Sequence, residues 1–175
     1  VTDSKTAGIR NIALVGPAGT GKTTLAEELL ALGGAIKTAG TIERGDTVCD
    51  HDPQEREFGH SLDPALCYYD AKGVHINILD TPGYPDFLGR SITVLPAVET
   101  AALVLSAHAG IETGVRRLMN AAKESGLCRM IIINQIDTDP GKLGSLLEQV
   151  QEVFGKRCLP LNLPAEGGTK VRGCF

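Results

Sequence analysis

The run Gly16-Pro17-Ala18-Gly19-Thr20-Gly21-Lys22-Thr23 fits the pattern G-x-x-x-x-G-K-[ST] of a phosphate-binding loop. No other feature limits the fold as strongly. Such a loop functions between a buried strand and the N-terminus of a helix, where backbone N–H groups and the helix dipole converge on an anion. The flanking residues have this character. Ile9 to Val15 is a short apolar run that reads as a buried strand, and Thr24 to Leu32 reads as a helix. In that setting the N–H groups of Gly19, Thr20, Gly21 and Lys22 can face a phosphate, with Gly16, Ala18 and Thr24 completing the cradle. Lys22 supplies a point charge and the Thr23 hydroxyl a ligand for Mg²⁺. A plain glycine-rich turn before a capped helix would leave the lysine beside two threonines unexplained.

Alternating elements continue along the chain. Leu66 to Tyr69 and Val74 to Leu79 read as strands joined by a hairpin turn at Asp70-Ala71-Lys72-Gly73. Phe87 to Leu95 reads as a helix ended by Pro96, Ala101 to Ser106 as a strand, and Glu112 to Ser125 as a helix stopped by Gly126. Met130 to Ile133 follows as a strand, Lys142 to Phe154 as a helix, and Leu159 to Leu163 as a last strand. Gly33 to Ser61 has no strong period and reads as a long functional loop. This order predicts an α/β fold of the P-loop NTPase class: a mostly parallel sheet, helices on both faces and one antiparallel hairpin strand.

Composition excludes several function classes. At 175 residues, 42% hydrophobic and 22% charged, the chain has the make-up of one globular domain. A net charge of −4 and the lack of Trp argue against direct nucleic-acid binding by this domain. No apolar run approaches a membrane span. The five cysteines have no C-x₂-C spacing and are odd in number, so they read as free thiols of a reducing cytoplasm. The expected species is a cytoplasmic monomer.

A sheet of this kind binds ligands beyond the carboxyl ends of its strands. Two further motifs stand at such ends. Asp80-Thr81-Pro82-Gly83 directly follows Val74 to Leu79. A carboxylate there can hold Mg²⁺ through water, and the glycine can bring its N–H onto a γ-phosphate. Asn134-Gln135-Ile136-Asp137 directly follows Met130 to Ile133. An aspartate accepting two N–H bonds from a guanine edge would reject adenine. Asp-Thr-Pro-Gly alone is usually just a turn; two such tetrapeptides at strand ends, each in the proper order, make coincidence improbable.

With these motifs the chain resembles the GTP-binding domain of translational GTPases, specifically the elongation factor G family and its elongation factor G-like branch. The similarity runs from about Ile9 to the C-terminus. Gln54-Glu55-Arg56-Glu57-Phe58-Gly59-His60-Ser61 resembles the family's switch I, and Asp80-Thr81-Pro82-Gly83-Tyr84-Pro85-Asp86-Phe87 its switch II. Gly34-Ala35-Ile36-Lys37-Thr38-Ala39-Gly40-Thr41 is similar to the related peptide chain release factor three. The resemblance implies GTP and GDP as substrate and product, Mg²⁺ as cofactor and the ribosome as partner. It gives Lys22 and Gly83 catalytic roles, Thr23, Ser61 and, through water, Asp80 metal roles, and Asn134, Gln135 and Asp137 the guanine base. Ser61 stands where the family has threonine and keeps the hydroxyl.

The departures fall on catalysis and affinity. Tyr84 replaces the family's water-orienting histidine. Its phenol is a donor and acceptor with a longer reach, and a poor substitute for an imidazole. Two readings of Tyr84 stay open: a packing residue on the switch II helix, or a working hydroxyl. His60, at an apolar gate position, reads as a solvated loop residue or as a substitute imidazole; Ala18 takes the other gate position. Gly19 replaces a loop aspartate. Gln135 replaces the lysine that packs on the base, losing a cation and its loop contacts. After Asp137 no Ser-Ala pair occurs, and Cys158-Leu159-Pro160-Leu161-Asn162-Leu163-Pro164 resembles the start of the family's insert. Residues 1–175 therefore read as the GTP-binding domain of a larger multidomain factor, cut within or before that insert. Two functions remain open: a ribosome-stimulated GTPase, or a GTP-binding switch that hardly hydrolyses. An ATP-dependent enzyme is disfavoured by Asn134 and Asp137.

Overall fold

Neighbouring residues of the central strands enter two different cores. Ala13 and Val15 join one cluster, and Leu14 between them joins the other. Ala101, Leu103 and Leu105 likewise face the first, with Ala102 and Val104 facing the second. A strand buried on both faces must be apolar throughout, which is why these segments show no alternation. The computed structural model describes residues 6–138, 141, 143–165 and 170–174.

Five strands form the main sheet: β1 (Ile9–Val15), β2 (Ala65–Ala71), β3 (Val74–Asp80), β4 (Thr100–Ser106) and β5 (Cys128–Asn134). Their order is β2-β3-β1-β4-β5. β1 pairs in parallel with β3 and β4, β4 pairs in parallel with β5, and only β2 runs antiparallel, against β3. Helix α1 (Lys22–Leu32) packs on one face through Ala26 and Leu30. On the other face α4 (Thr113–Glu124) contributes Val115 and Leu118, and α5 (Leu143–Phe154) contributes Leu146 and Val150. The α/β P-loop architecture with its hairpin is therefore the observed one.

Three local expectations need correction. The turn between β2 and β3 is two residues long, because Ala71 pairs with Val74. Lys72 and Gly73 both have positive φ, 51° and 79°, the requirement of a type I′ hairpin whose twist matches the strands. The helix expected over Phe87 to Leu95 splits into a 3₁₀ turn (Pro85–Phe87), α3 (Leu88–Thr93) and a second 3₁₀ turn (Leu95–Ala97). Pro96 cannot donate to a helical carbonyl and disfavours the α conformation at Leu95. The strand expected over residues 159–163 is β6 (Asn162–Ala165), and a further strand follows it. β6 lies outside the main sheet and pairs antiparallel with that strand, β7 (Lys170–Cys174), with a register irregularity between Leu163 and Pro164. A proline that lacks the N–H for a ladder bond is tolerated at such an irregularity.

The segment from Gly33 to Ser61 is also more ordered than a loop. It contains α2 (Pro53–Phe58), capped by Asp52, whose side chain accepts from the Gln54 N–H at 2.8 Å. Glu55 completes a capping box and Gly59 ends the helix at φ 66°. The pattern Asp-Pro-x-Glu, followed by glycine, carried that signal in the sequence. Nearer α1, the Cys49 thiol donates to Cys67 Sγ on β2 at 4.0 Å, so this segment packs onto the sheet.

Candidate functional site

The site gathers at the carboxyl ends of β1, β3 and β5. Gly16 leaves β1 with φ 147°, and a Cβ there would stand 2.3 Å from the Val104 carbonyl oxygen on β4. Only glycine lets the loop turn so close to the neighbouring strand. Gly19 and Gly21 have φ of 73° and 84°, left-handed conformations that favour glycine. Ala18 and Gly19 are exposed at the loop's outer edge, while Thr20 is buried and its hydroxyl donates to Pro17 O at 3.0 Å. Thr24 is exposed on α1.

Lys22 is 6% exposed, and its ammonium donates to Pro17 O at 2.7 Å. Burial pushes its pKa down from 10.5 to about 8, with the Asp80 carboxylate pulling the other way. Gly83 lies directly against the loop. A Cβ on it would stand 2.5 Å from both Ala18 N and Lys22 Nζ. Glycine at position 83 is thus required by close approach to the loop.

Oxygen ligands converge beside Lys22. The Thr23 hydroxyl donates to Asp80 Oδ2 at 2.6 Å and lies 3.5 Å from the Ser61 hydroxyl. Asp80 is 1% exposed, and its other oxygen, Oδ1, is buried without a hydrogen-bond partner among the described residues. Burial raises the Asp80 pKa to about 6; the Thr23 hydroxyl and Lys22 oppose that rise, and Asp50 adds to it. An orphaned buried carboxylate oxygen next to two hydroxyls suits a hard, oxygen-seeking cation such as Mg²⁺, which takes few protein ligands and keeps waters and phosphates for the rest. Thr81 holds this strand end in place by donating to Leu14 O at 2.8 Å.

One residue of this corner escaped the sequence reading. Asp50 is 3% exposed, accepts from the Ser61 hydroxyl at 2.7 Å, and accepts from Thr47 Oγ1 at 3.0 Å. It sits in a segment without periodicity, so nothing in the sequence marked it as facing Ser61.

The third motif is docked onto the phosphate loop. Asn134 Nδ2 donates to Thr20 O at 2.9 Å, and a Cβ on Gly21 would come within 2.6 Å of that nitrogen. Gln135 has φ 58°, and its Nε2 donates to Gly19 O at 3.0 Å. The expectation that glutamine loses the loop contacts is therefore wrong: it loses the cation and keeps a contact with the loop. Asp137 is exposed in the turn that Thr138 closes by donating N–H and Oγ1 to Gln135 O, at 3.3 and 2.7 Å.

The two switch aromatics meet each other. The His60 imidazole and the Tyr84 ring have centroids 4.4 Å apart, and Phe58 and Phe87 flank His60 at 6.0 and 6.3 Å. His60 is half-buried rather than solvated, and Tyr84 packs on switch I rather than only on its own helix. Arg90 of α3 stacks over Phe87, donates to Leu62 O at 3.0 Å and pairs with Asp63, linking the same two segments.

Among the described residues no helix is long and apolar enough to cross a membrane. Comparison with known proteins places these features. A family model described as the elongation factor Tu GTP binding domain matches residues 7–168. An elongation factor G-like protein of Mycobacterium tuberculosis is 35% identical over 161 residues, covering 92% of this chain and 22% of that protein. Peptide chain release factor 3 of Lactococcus lactis is 34% identical over 170 residues, covering 95% and 32%. A solved structure from Thermus thermophilus superposes with a TM-score of 0.87 at 36% identity, covering 94% of this chain and 25% of that one. The chain thus spans a third or less of the length of these relatives. Its phosphate loop, its two strand-end motifs and this match over nearly the whole sequence have one meaning: the chain belongs to the elongation factor Tu GTP-binding domain family, within the homologues of elongation factor G-like proteins and release factor 3.

Proposed function

We propose that the chain is the GTP-binding and GTP-hydrolysing domain of an elongation factor G-like translation factor that acts with the ribosome in the cytoplasm. The observation that carries this reading is the convergence of two strand-end motifs on the phosphate loop. Thr23 bonds to Asp80 on one side, and Asn134 bonds to Thr20 on the other. The first pairing would hold Mg²⁺ and the terminal phosphates; the second would hold the base.

In this reading Lys22 and the loop N–H groups stabilise charge on the transferring phosphoryl oxygens. Thr23, Ser61 and, through water, Asp80 hold Mg²⁺, with Asp50 orienting Ser61. Mg²⁺, when bound there, would supply charge that neutralises the phosphate oxygens. Gly83 presents its N–H to the γ-phosphate, and Asn134, Gln135 and Asp137 hold the guanine. Calorimetric titration tests the assignment directly. GDP and GTP should bind, and ADP and ATP should bind far more weakly; equal affinity for the two purines would overturn it.

A second reading is a GTP-binding switch with little hydrolysis of its own. The observation favouring it is that Tyr84 is 44% exposed and packs its ring on His60, a packing contact rather than a water-orienting one. Single-turnover hydrolysis with and without ribosomes separates the two readings: strong stimulation supports the GTPase, and none supports the switch.

A further inference from the structure

Glu27 lies on α1, one turn beyond Lys22 and Thr23, and is fully buried. Its carboxylate accepts from the main chain of a distant segment. Oε2 takes the Gly40 N–H at 3.0 Å, and Oε1 takes the Val48 N–H at 2.6 Å and the Cys49 N–H at 3.4 Å. Gly40 and Val48 stand at the two ends of a loop that closes tightly on itself. A Cβ on Gly40 would lie 2.5 Å from Asp46 O and 2.8 Å from Thr47 Cα. One carboxylate therefore pins both ends of this loop to the helix that begins at the phosphate loop.

The residue after Cys49 is Asp50, which accepts from the Ser61 hydroxyl at 2.7 Å; Ser61 in turn lies 3.5 Å from Thr23 Oγ1. We infer that Glu27 is a positioning residue for the Mg²⁺ end of the site. By holding residues 40–49 on α1, it sets Asp50 and Ser61 beside Thr23 before any nucleotide binds. The inference rests on the nucleotide reading given above. It explains why an acidic residue is buried here. A carboxylate offers acceptors on both oxygens, so it can serve Gly40 on one side and Val48 on the other. A glutamine has one acceptor oxygen and would turn an NH₂ toward one of those N–H groups.

The test uses Glu27→Gln in the full chain, with two readouts. In the nucleotide-free protein, hydrogen exchange at the Gly40 and Val48 amides should speed up by about tenfold, the effect of losing one charge-assisted bond. With a fluorescent GDP analogue, the Mg²⁺ concentration for half-maximal binding should rise by about tenfold, while affinity in EDTA stays as in the parent. Glu27→Asp, which keeps both oxygens, should recover part of each effect. Unchanged amide exchange in Glu27→Gln overturns the inference, as does an equal loss of affinity with and without Mg²⁺, which would mean general damage to the fold. If the parent chain binds no guanine nucleotide, the nucleotide reading fails, and the exchange measurement still decides whether Glu27 anchors the loop.

Discussion

Tyr84 rests on the imidazole of His60, with ring centroids 4.4 Å apart and planes tilted by 47°. The contact joins switch II to switch I through two side chains that could each have been read as the water-positioning group. Its position makes Tyr84 a packing residue first. Tyr84→Ala should therefore lower single-turnover GTP hydrolysis by only a fewfold, with nucleotide binding intact, and Tyr84→His should raise it, most visibly with ribosomes. A loss of about a hundredfold in Tyr84→Ala, the scale of a lost proton-handling group, would make the phenol the working residue instead.

Lys22 gives the site a pH dependence. Its folded pKa of about 8 lies below the 10.5 of an exposed lysine. Between those values the unfolded chain binds more protons than the folded one, so this group adds stability to the nucleotide-free protein as pH rises through that window. In the proposed nucleotide reading, binding would go the other way, because phosphate oxygens favour the ammonium. Calorimetry should show GDP affinity falling by about tenfold or more from neutral pH to roughly pH 9.5, with proton uptake on binding. Lys22→Ala should abolish binding at either pH. An affinity that is flat with pH would mean that Lys22 carries its proton throughout.

Gln135 keeps a bond to the phosphate loop without a charge. Gln135→Ala should weaken guanine-nucleotide binding by about fivefold, the worth of one neutral hydrogen bond. Gln135→Lys should match or exceed the parent, since a lysine can reach the same carbonyl and adds a cation near the base. An alanine variant that binds as well as the parent would show the Gly19 contact to be incidental.

Gly16 is a stability test of the loop's foundation. Its Cβ would collide with the Val104 carbonyl, and its φ of 147° suits no L side chain. Gly16→Ala should lower unfolding free energy by at least about 2 kcal/mol in urea denaturation. Gly34→Ala, whose Cβ meets nothing within 4 Å, should cost less despite a positive φ. Equal effects would mean that backbone conformation, and not the contact with β4, controls the cost.

The elements easiest to read from sequence were those set by local rules. The apolar runs of β1 and β4 and the glycine-rich loop between β1 and α1 each carry their conformation in neighbouring residues. So do the motif aspartates and asparagine: Asp80 and Asn134 end their strands because polar residues follow an apolar run. α2 was also encoded locally, in its cap, but its short length hid it from a search for period. α3 stopped earlier than its apolar pattern suggested because Pro96 limits the residues before it.

The sequence alone determined the fold class, the phosphate loop and the order of the motifs, because these depend on spacing along the chain. Tertiary structure decided which distant side chains meet. Glu27 reaches Gly40 and Val48, Ser61 reaches Asp50, Gln135 reaches Gly19, and His60 reaches Tyr84. Each of these contacts needs a particular path of residues 33–61 over the sheet or a particular approach of one strand end to another. That path is fixed by burial and by backbone N–H groups seeking acceptors, neither of which leaves a periodic mark in the sequence.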